Sequence, residues 1–237
     1  MCTKMTKAFF IAGTDTGVGK TFVSCALLEA AAIKGLSTMG LKPMAAGCEQ
    51  VDIGKDKLQW QNEDAQQLIL HSNISLPYIQ VNPVALKAAV SPHIAAALEN
   101  KTITAARMDG ICRGALMKRP DFAIVEGAGG WRVPISPRET MADLAKLLTL
   151  EVILVVDLRL GCLNHAMLTA ESIRRDGLKL VAWVANRSSD KVMGYEQENI
   201  ATLTSALNAP LLGCLPYKVG QTPKDVCNEL VLDCLEL

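Results

Sequence analysis

Apolar runs of strand length alternate with longer stretches of helical periodicity along almost the whole chain. Residues 8–12, Ala-Phe-Phe-Ile-Ala, predict a first buried strand, and residues 22–33, rich in Ala and Leu, predict a helix behind it. Further short runs predict strands at 38–41, 121–126, 152–157, 180–185 and 210–216. Helices are expected at 62–70, from Ser91-Pro92-His93 onward, at 102–118, from the loop 160–165 through Arg175, and at 195–207. Ser91 reads as an N-cap with Pro92 in the first helical position. In 102–118 the expected apolar positions include Ile103, Ala106, Ile111 and Leu116. Residues 44–61 are polar and carry Gly47 and Gly54, so they read as a loop, and 81–84 read as a short extended piece. Residues 217–237 are mixed and end in an acidic, Leu-rich segment. Strands apolar throughout, separated by helices, predict an α/β fold: a doubly wound, mostly parallel sheet flanked by helices. The length and the lack of repeats or linkers predict one domain over residues 1–237.

Composition narrows this picture. Half the residues are hydrophobic and only 4% are aromatic, so the core is aliphatic. Lys plus Arg and Asp plus Glu are 24 each, which leaves no cationic excess to hold nucleic acid. Cysteines stand at 2, 25, 48, 112, 162, 214, 227 and 234, with no Cys-x-x-Cys pair; they read as buried reduced thiols, not as a disulfide framework or a zinc site. Met1 to Lys7 precede only a strand-length apolar run, so no signal peptide is expected. No apolar run reaches the ~18 residues of a membrane span. The expected compartment is the reducing cytoplasm.

The chemistry concentrates first in Gly13-Thr14-Asp15-Thr16-Gly17-Val18-Gly19-Lys20-Thr21, between the first strand and the first helix. Strand, Gly-rich turn, Gly-Lys-Thr and helix is the setting of a phosphate-binding loop, and it places the fold in the P-loop NTPase type. Glycines let several N–H groups converge where the helix N-terminus adds positive potential. Lys20 would reach the β- and γ-phosphates and the Thr21 hydroxyl would ligate Mg²⁺. The strict pattern has Gly five residues before the second Gly; Thr14 holds that place here, and Gly13 lies one residue early.

Other candidates lie at strand ends, where open α/β sheets bind ligands. Lys42-Pro43 ends the second strand, and Lys42 is either a solvated charge or a phosphate partner. Glu63 and Asp64 open a helix, where the macrodipole alone favours acidic residues. Glu126 ends a buried strand ahead of Gly127-Ala128-Gly129-Gly130, and Asp157 ends another, so the two compete as metal ligands; the glycines favour Glu126. Asn186 is either a turn residue or a reader of a base edge.

Taken together, the loop 13–21, Lys42-Pro43, Val81-Asn82-Pro83, Ser91-Pro92-His93, Val125-Glu126-Gly127-Ala128-Gly129-Gly130, Leu160-Gly161-Cys162-Leu163-Asn164-His165 and Val184-Ala185-Asn186 resemble the dethiobiotin synthetases, in order, over roughly residues 7–217. The early glycine also resembles that family, whose loop begins Gly-Thr-Asp-Thr. The resemblance implies closure of a cyclic urea on 7,8-diaminopelargonic acid with CO₂ (or bicarbonate) and Mg-ATP, in the biotin pathway, releasing ADP and phosphate. It implies Lys20 and Lys42 as catalytic lysines, and Thr21, Asp64 and Glu126 as the Mg²⁺ ligands. Gly17, Val18, Gly19, Phe22, Gly127, Ala128 and Gly129 would line the nucleotide, with Asn186, Arg187, Pro216 and Tyr217 around its base. Gly161, Cys162, Leu163 and Asn164 match a loop that holds the substrate carboxylate from a neighbouring subunit, which implies a homodimer.

The chain departs from the family where many members carry a substrate-contacting Ser and this one has Ala46. Asp157 stands where a non-acidic residue is expected. A related amidoligase or carboxylase, or a nucleotide switch of the septum-placing type, would share part of the pattern. A membrane-recruited switch would want a basic amphipathic tail, whereas residues 225–237 carry Asp225, Glu229, Asp233 and Glu236 with neither Lys nor Arg.

Overall fold

A strand covered on both faces must be apolar at successive positions, and the central strands of this protein are. The computed structural model describes residues 6–237; Cys2 and the first part of the amino-terminal segment lie outside the described residues. The first elements are β1 (Lys7–Gly13), α1 (Lys20–Ile33), β2 (Thr38–Leu41), β3 (Met44–Ala45), β4 (Glu49–Asp52), β5 (Leu58–Gln61) and α2 (Glu63–Leu70). Next come α3 (Tyr78–Val81), β6 (Val84–Ala85), α4 (Pro92–Leu98), α5 (Ala105–Leu116) and β7 (Phe122–Gly130). The chain continues through α6 (Met141–Leu148), β8 (Glu151–Asp157), α7 (Cys162–Arg175), β9 (Leu180–Asn186), α8 (Glu196–Leu207), β10 (Leu211–Leu215) and α9 (Pro223–Val226). Two 3-10 turns, Cys227–Glu229 and Asp233–Leu235, follow.

Six strands form one sheet in the order β10-β9-β8-β1-β7-β2, and every pairing in it is parallel. Side chains alternate between two apolar layers. On β1, Phe9 and Ile11 enter one layer and Phe10 and Ala12 the other. On β8, Ile153 and Val155 join the first, and Val152, Leu154 and Val156 the second. Buried residues of α5, α6, α7 and α8 cover the second layer; α1 and the tail residues Val226, Leu230, Leu232 and Leu235 cover the first.

Several expectations shift. Residues 44–61 are not a plain loop: β4 and β5 pair as an antiparallel hairpin, and β3 pairs with β6. The hairpin is exposed or half-buried along its length, so its polar sequence lacks the alternation that would announce strands. Val81 closes a short helix instead of opening an extended piece. The 102–118 helix starts only at Ala105, because the Thr104 side chain accepts the Arg107 N–H at 3.3 Å and caps it. Its buried face is Ala105, Met108, Cys112 and Ala115, while Ala106 is exposed. Strand β7 runs past Glu126 through Gly130. Among the described cysteines all are free; five are buried, Cys214 is half-buried and Cys234 is exposed, so the buried-thiol reading fails at the last.

Candidate active site

Parallel pairing puts every carboxyl end of the six strands on one edge of the sheet, which is where such folds bind ligands. There β1 delivers the loop 13–21, β2 delivers Lys42, β7 delivers Glu126, β8 delivers Asp157, β9 delivers Asn186 and β10 delivers Pro216.

In the loop, Gly17 and Gly19 adopt left-handed backbone (φ +75° and +84°), and Gly19 caps α1. The early glycine has a steric cause: a Cβ on Gly13 would lie 2.9 Å from Lys20 Nζ and 2.8 Å from a Val18 methyl. Lys20 Nζ donates to the Asp15 carbonyl at 2.9 Å. Burial, followed by the ammonium of Lys42, pushes the Lys20 pKa down to about 8.

Beside it, Lys42 Nζ lies 2.5 Å from Glu126 Oε1 and 3.0 Å from Asp64 Oδ2. The Thr21 hydroxyl donates to the same Glu126 oxygen at 2.7 Å. Burial would lower the Lys42 pKa, but Glu126 and Asp64 outweigh it and raise the value. Burial would likewise raise Asp64, but the charge of Lys42 and hydrogen bonds from Lys42 and Thr21 hold it below the ordinary carboxylate range. The second oxygen of Glu126, Oε2, is buried with no hydrogen-bond partner.

The surrounding motifs fix these groups. Asn82 donates through Nδ2 to the Lys42 carbonyl at 2.6 Å, and the Lys42 N–H donates to Val81 O at 2.9 Å. Val-Asn-Pro therefore holds the backbone that carries Lys42. Tyr78 donates its hydroxyl to Asn82 Oδ1 at 2.9 Å and accepts the Asn62 N–H at 2.7 Å. Asn62 caps α2, two residues ahead of Asp64. One set of hydrogen bonds thus places both Lys42 and Asp64.

A cavity of about 670 Å³ opens over this cluster, lined among others by Gly17, Gly19, Lys20, Thr21, Lys42, Asp64, Glu126, Ala128 and Gly129. Ala46, the position of the family serine, also lines it. A second cavity of about 360 Å³ shares Gly17 and Gly19 with the first and is lined by Phe22, Asn186, Arg187, Pro216 and Tyr217. Asn186 Nδ2 donates to Val18 O at 2.9 Å, which leaves its buried Oδ1 without a partner. Val18 itself is buried, and Gly127 packs under the Phe10 ring. Arg187 reaches the cavity wall with its guanidinium paired to Glu196.

Not every expected residue converges here. Cys162, Leu163 and Asn164 form the first turn of α7 behind Gly161 (φ +97°), and none of the four lines either cavity. Asp157 is turned away from the Lys42 cluster: it accepts the Ser188 N–H and pairs with Arg159. Of the two competing carboxylates, Glu126 is the one beside Thr21 and Asp64. Sequence reasoning missed Asn62, Val90 and Val133 in the first cavity and Ser188 and residues 218–221 in the second. Apart from Lys218 their types carry no distinctive chemistry; Thr16, Ser91 and Pro92, also in the first cavity, lay in recognised motifs.

Comparison with known proteins identifies the family. A family model described as an AAA domain matches residues 7–224. The ATP-dependent dethiobiotin synthetase BioD of Cellvibrio japonicus is 55% identical over 89% of this chain and 89% of its own. The enzyme of the same name from Marinobacter nauticus is 50% identical over 88% and 87%. Among solved structures, the signal recognition particle receptor FtsY of Elizabethkingia anophelis superposes with a TM-score of 0.56 at 15% identity, covering 98% of this chain and 66% of that one. The septum site-determining protein MinD of Pyrococcus horikoshii, complexed with Mg-ADP, gives 0.54 at 19% identity over 90% and 82%. At those identities the two structures share the fold alone, whereas the identity and coverage of the first two relatives show that this chain belongs to the family of ATP-dependent dethiobiotin synthetases.

Proposed function

We propose that this protein closes the ureido ring of dethiobiotin from 7,8-diaminopelargonic acid, CO₂ and ATP, and that residues 1–237 act as one P-loop α/β domain. The observation that carries the assignment of roles is Lys42, buried between Asp64 and Glu126 next to Lys20 on one wall of the first cavity. A simple ATPase needs a phosphate lysine; a second buried lysine suits an acceptor that is itself an anion.

One amine of the substrate takes up CO₂ as a carbamate. The carbamate oxygen accepts the γ-phosphoryl group of ATP, ADP leaves, and the second amine attacks the carbonyl carbon and expels phosphate. Lys20 holds the β- and γ-phosphates, and Lys42 bridges the carbamate and the γ-phosphate. Their positive charges offset repulsion between anions before transfer and stabilise the charge that spreads during it. The substrate supplies the nucleophile, so no covalent protein intermediate is needed.

The donor set fits Mg²⁺: a hydroxyl and two carboxylates, one of which, Glu126, has an orphaned buried oxygen, Oε2. Thr21, Asp64 and Glu126 would hold it, and bound there it would neutralise phosphate charge. The orphaned Asn186 Oδ1 fits an exocyclic amine, which supports the second cavity as the base site with Pro216 and Tyr217 as its wall. Residues 161–164, apart from their own cavity and adjoining the 91%-exposed Leu160, fit a loop offered to a second copy in a homodimer. Among the described residues no helix is long and apolar enough to cross a membrane, and the tail's leucines are packed against α1, which disfavours the membrane-switch reading. Free buried cysteines fit a cytoplasmic enzyme.

The deciding experiment supplies Mg-ATP, 7,8-diaminopelargonic acid and labelled bicarbonate. Label should enter a neutral cyclic urea with one ADP per product. Label that stays in bicarbonate while ATP binds would reject the ligase reading.

A further inference from the structure

We propose that Asp157 and Arg159 are positioning residues that hold the phosphate loop in its nucleotide-receiving shape. Asp157 ends β8 on the ligand edge with 8% exposure, and a carboxylate so buried is costly unless paired. Its Oδ1 accepts the Ser188 N–H at 3.1 Å, and its Oδ2 lies 3.3 Å from Arg159 Nε. Arg159 Nη2 then reaches Asp15 Oδ2 at 3.0 Å. Asp15 accepts the Thr16 N–H on its other oxygen at 2.7 Å and the Lys20 ammonium on its backbone carbonyl at 2.9 Å.

These contacts form one strut: Ser188, Asp157, Arg159, Asp15, Lys20. Ser188 lines the base-side cavity and Lys20 the phosphate-side cavity. The strut therefore links a wall of the base-side cavity, through Asp157 and Arg159, to Asp15 and Lys20 of the loop. Arginine suits the middle place because its Nε and Nη donors are held in a plane and can meet two carboxylates at once; a lysine ammonium is a single point. The side chains of Arg159 and Asp15 are half exposed, at 49% and 51%, so they contribute little to the apolar core. Their effect falls on the loop, where Thr14 is tied to the sheet by its N–H to Val155 O and Asp15 by this pair.

The test is ADP affinity of the full-length protein by calorimetry. Arg159→Met should weaken ADP about 5-fold, the upper range for a half-exposed ion pair. Asp15→Asn should weaken it by a similar factor, and the double variant no further, because both remove one contact. Arg159→Lys should recover part of the loss, and Asp157→Asn should show a loss of its own while Asp15 is intact. The melting temperature of Asp15→Asn, which leaves Arg159 paired with the buried Asp157, should agree with wild type, which separates loop positioning from general loosening. Wild-type ADP binding in the same series reports on the nucleotide reading by itself. Wild-type affinity in Arg159→Met, or a double-variant loss equal to the product of the single losses, overturns the proposal.

Discussion

Lys42 Nζ lies 2.5 Å from Glu126 Oε1, although 84 positions separate the two in the chain. Both side chains are buried, and Asp64 and Thr21 complete the contact. Removing one member of a buried ion pair leaves the other uncompensated, at about 3–5 kcal/mol. The same ammonium is the group available to an anionic acceptor. Its removal is therefore expected to show in stability and in chemistry separately.

Lys42→Gln should lower the phosphoryl transfer rate at least about 10²-fold, the scale of losing one transition-state electrostatic contact. ADP binding should persist, since the phosphate loop is untouched. The melting temperature should fall, and Glu126→Gln in the same chain should restore much of it by removing the orphaned charge. Transfer near the wild-type rate in Lys42→Gln would remove Lys42 from the mechanism.

Lys20 gives a pH signature. Its pKa in the folded protein is lowered to about 8 from an ordinary 10.5. Between those values the unfolded chain binds more protons than the folded one, so this group's contribution to stability rises with pH there. Nucleotide binding runs the other way, because phosphate needs the charged ammonium. Above about pH 8, ADP affinity should fall by up to about tenfold per pH unit until the bound-state pKa is reached. Lys42, whose pKa is raised, keeps its charge in this range. Calorimetry at about pH 9 in buffers of different ionisation enthalpy should register uptake of nearly one proton on binding. Lys20→Arg, charged throughout, should abolish the uptake. An ADP affinity that stays flat across that interval would contradict the assignment.

Much of this site is legible in the sequence because β-strands and the phosphate loop announce themselves locally. A run such as 152–157 must be a strand covered on both faces, and a parallel sheet then sends its terminal residues to one edge. That logic located Lys42, Glu126 and Asn186. Strand ends alone do not separate Glu126 from Asp157, since both end apolar strands; only the glycines behind Glu126 favour it in the sequence, and sheet order, which sets Glu126 beside β1 and β2, is not legible there. Nor could that logic find the hairpin β4–β5, whose side chains meet solvent and so lack a two-residue period. The role of Asn82 was invisible for another reason. Its partner is the Lys42 carbonyl, and backbone acceptors leave no mark on residue type.

Gly19→Ala should be more damaging to nucleotide binding than Gly17→Ala. Both positions are left-handed, so either alanine is strained by about 1–2 kcal/mol. At Gly17 the added Cβ meets nothing within 4 Å. At Gly19 it would overlap the Asn186 amide, which the Val18 carbonyl holds in place. Displacing that amide should cost an additional factor of about ten in ADP affinity. Equal losses in the two variants would mean that Asn186 does not contact the base.

The cross-subunit loop can be tested by complementation. Residues 161–164 do not line their own chain's cavities, whereas Lys20 does. If the loop serves the neighbour, a lesion at Lys20 acts in the chain that carries it and a lesion at Asn164 acts in the other. Lys20→Ala and Asn164→Asp should each be inactive as homodimers. After unfolding and refolding as a mixture, half of a random population is mixed dimers, and each mixed dimer has one site with both lesions and one with neither. About a quarter of wild-type activity should therefore return. Sedimentation at the assay concentration should show a dimer throughout, and a charged replacement of the exposed Leu160 beside the loop should weaken it. If the mixture stays inactive while dimers form, or if a monomer is fully active, residues 161–164 do not complete the neighbour's site.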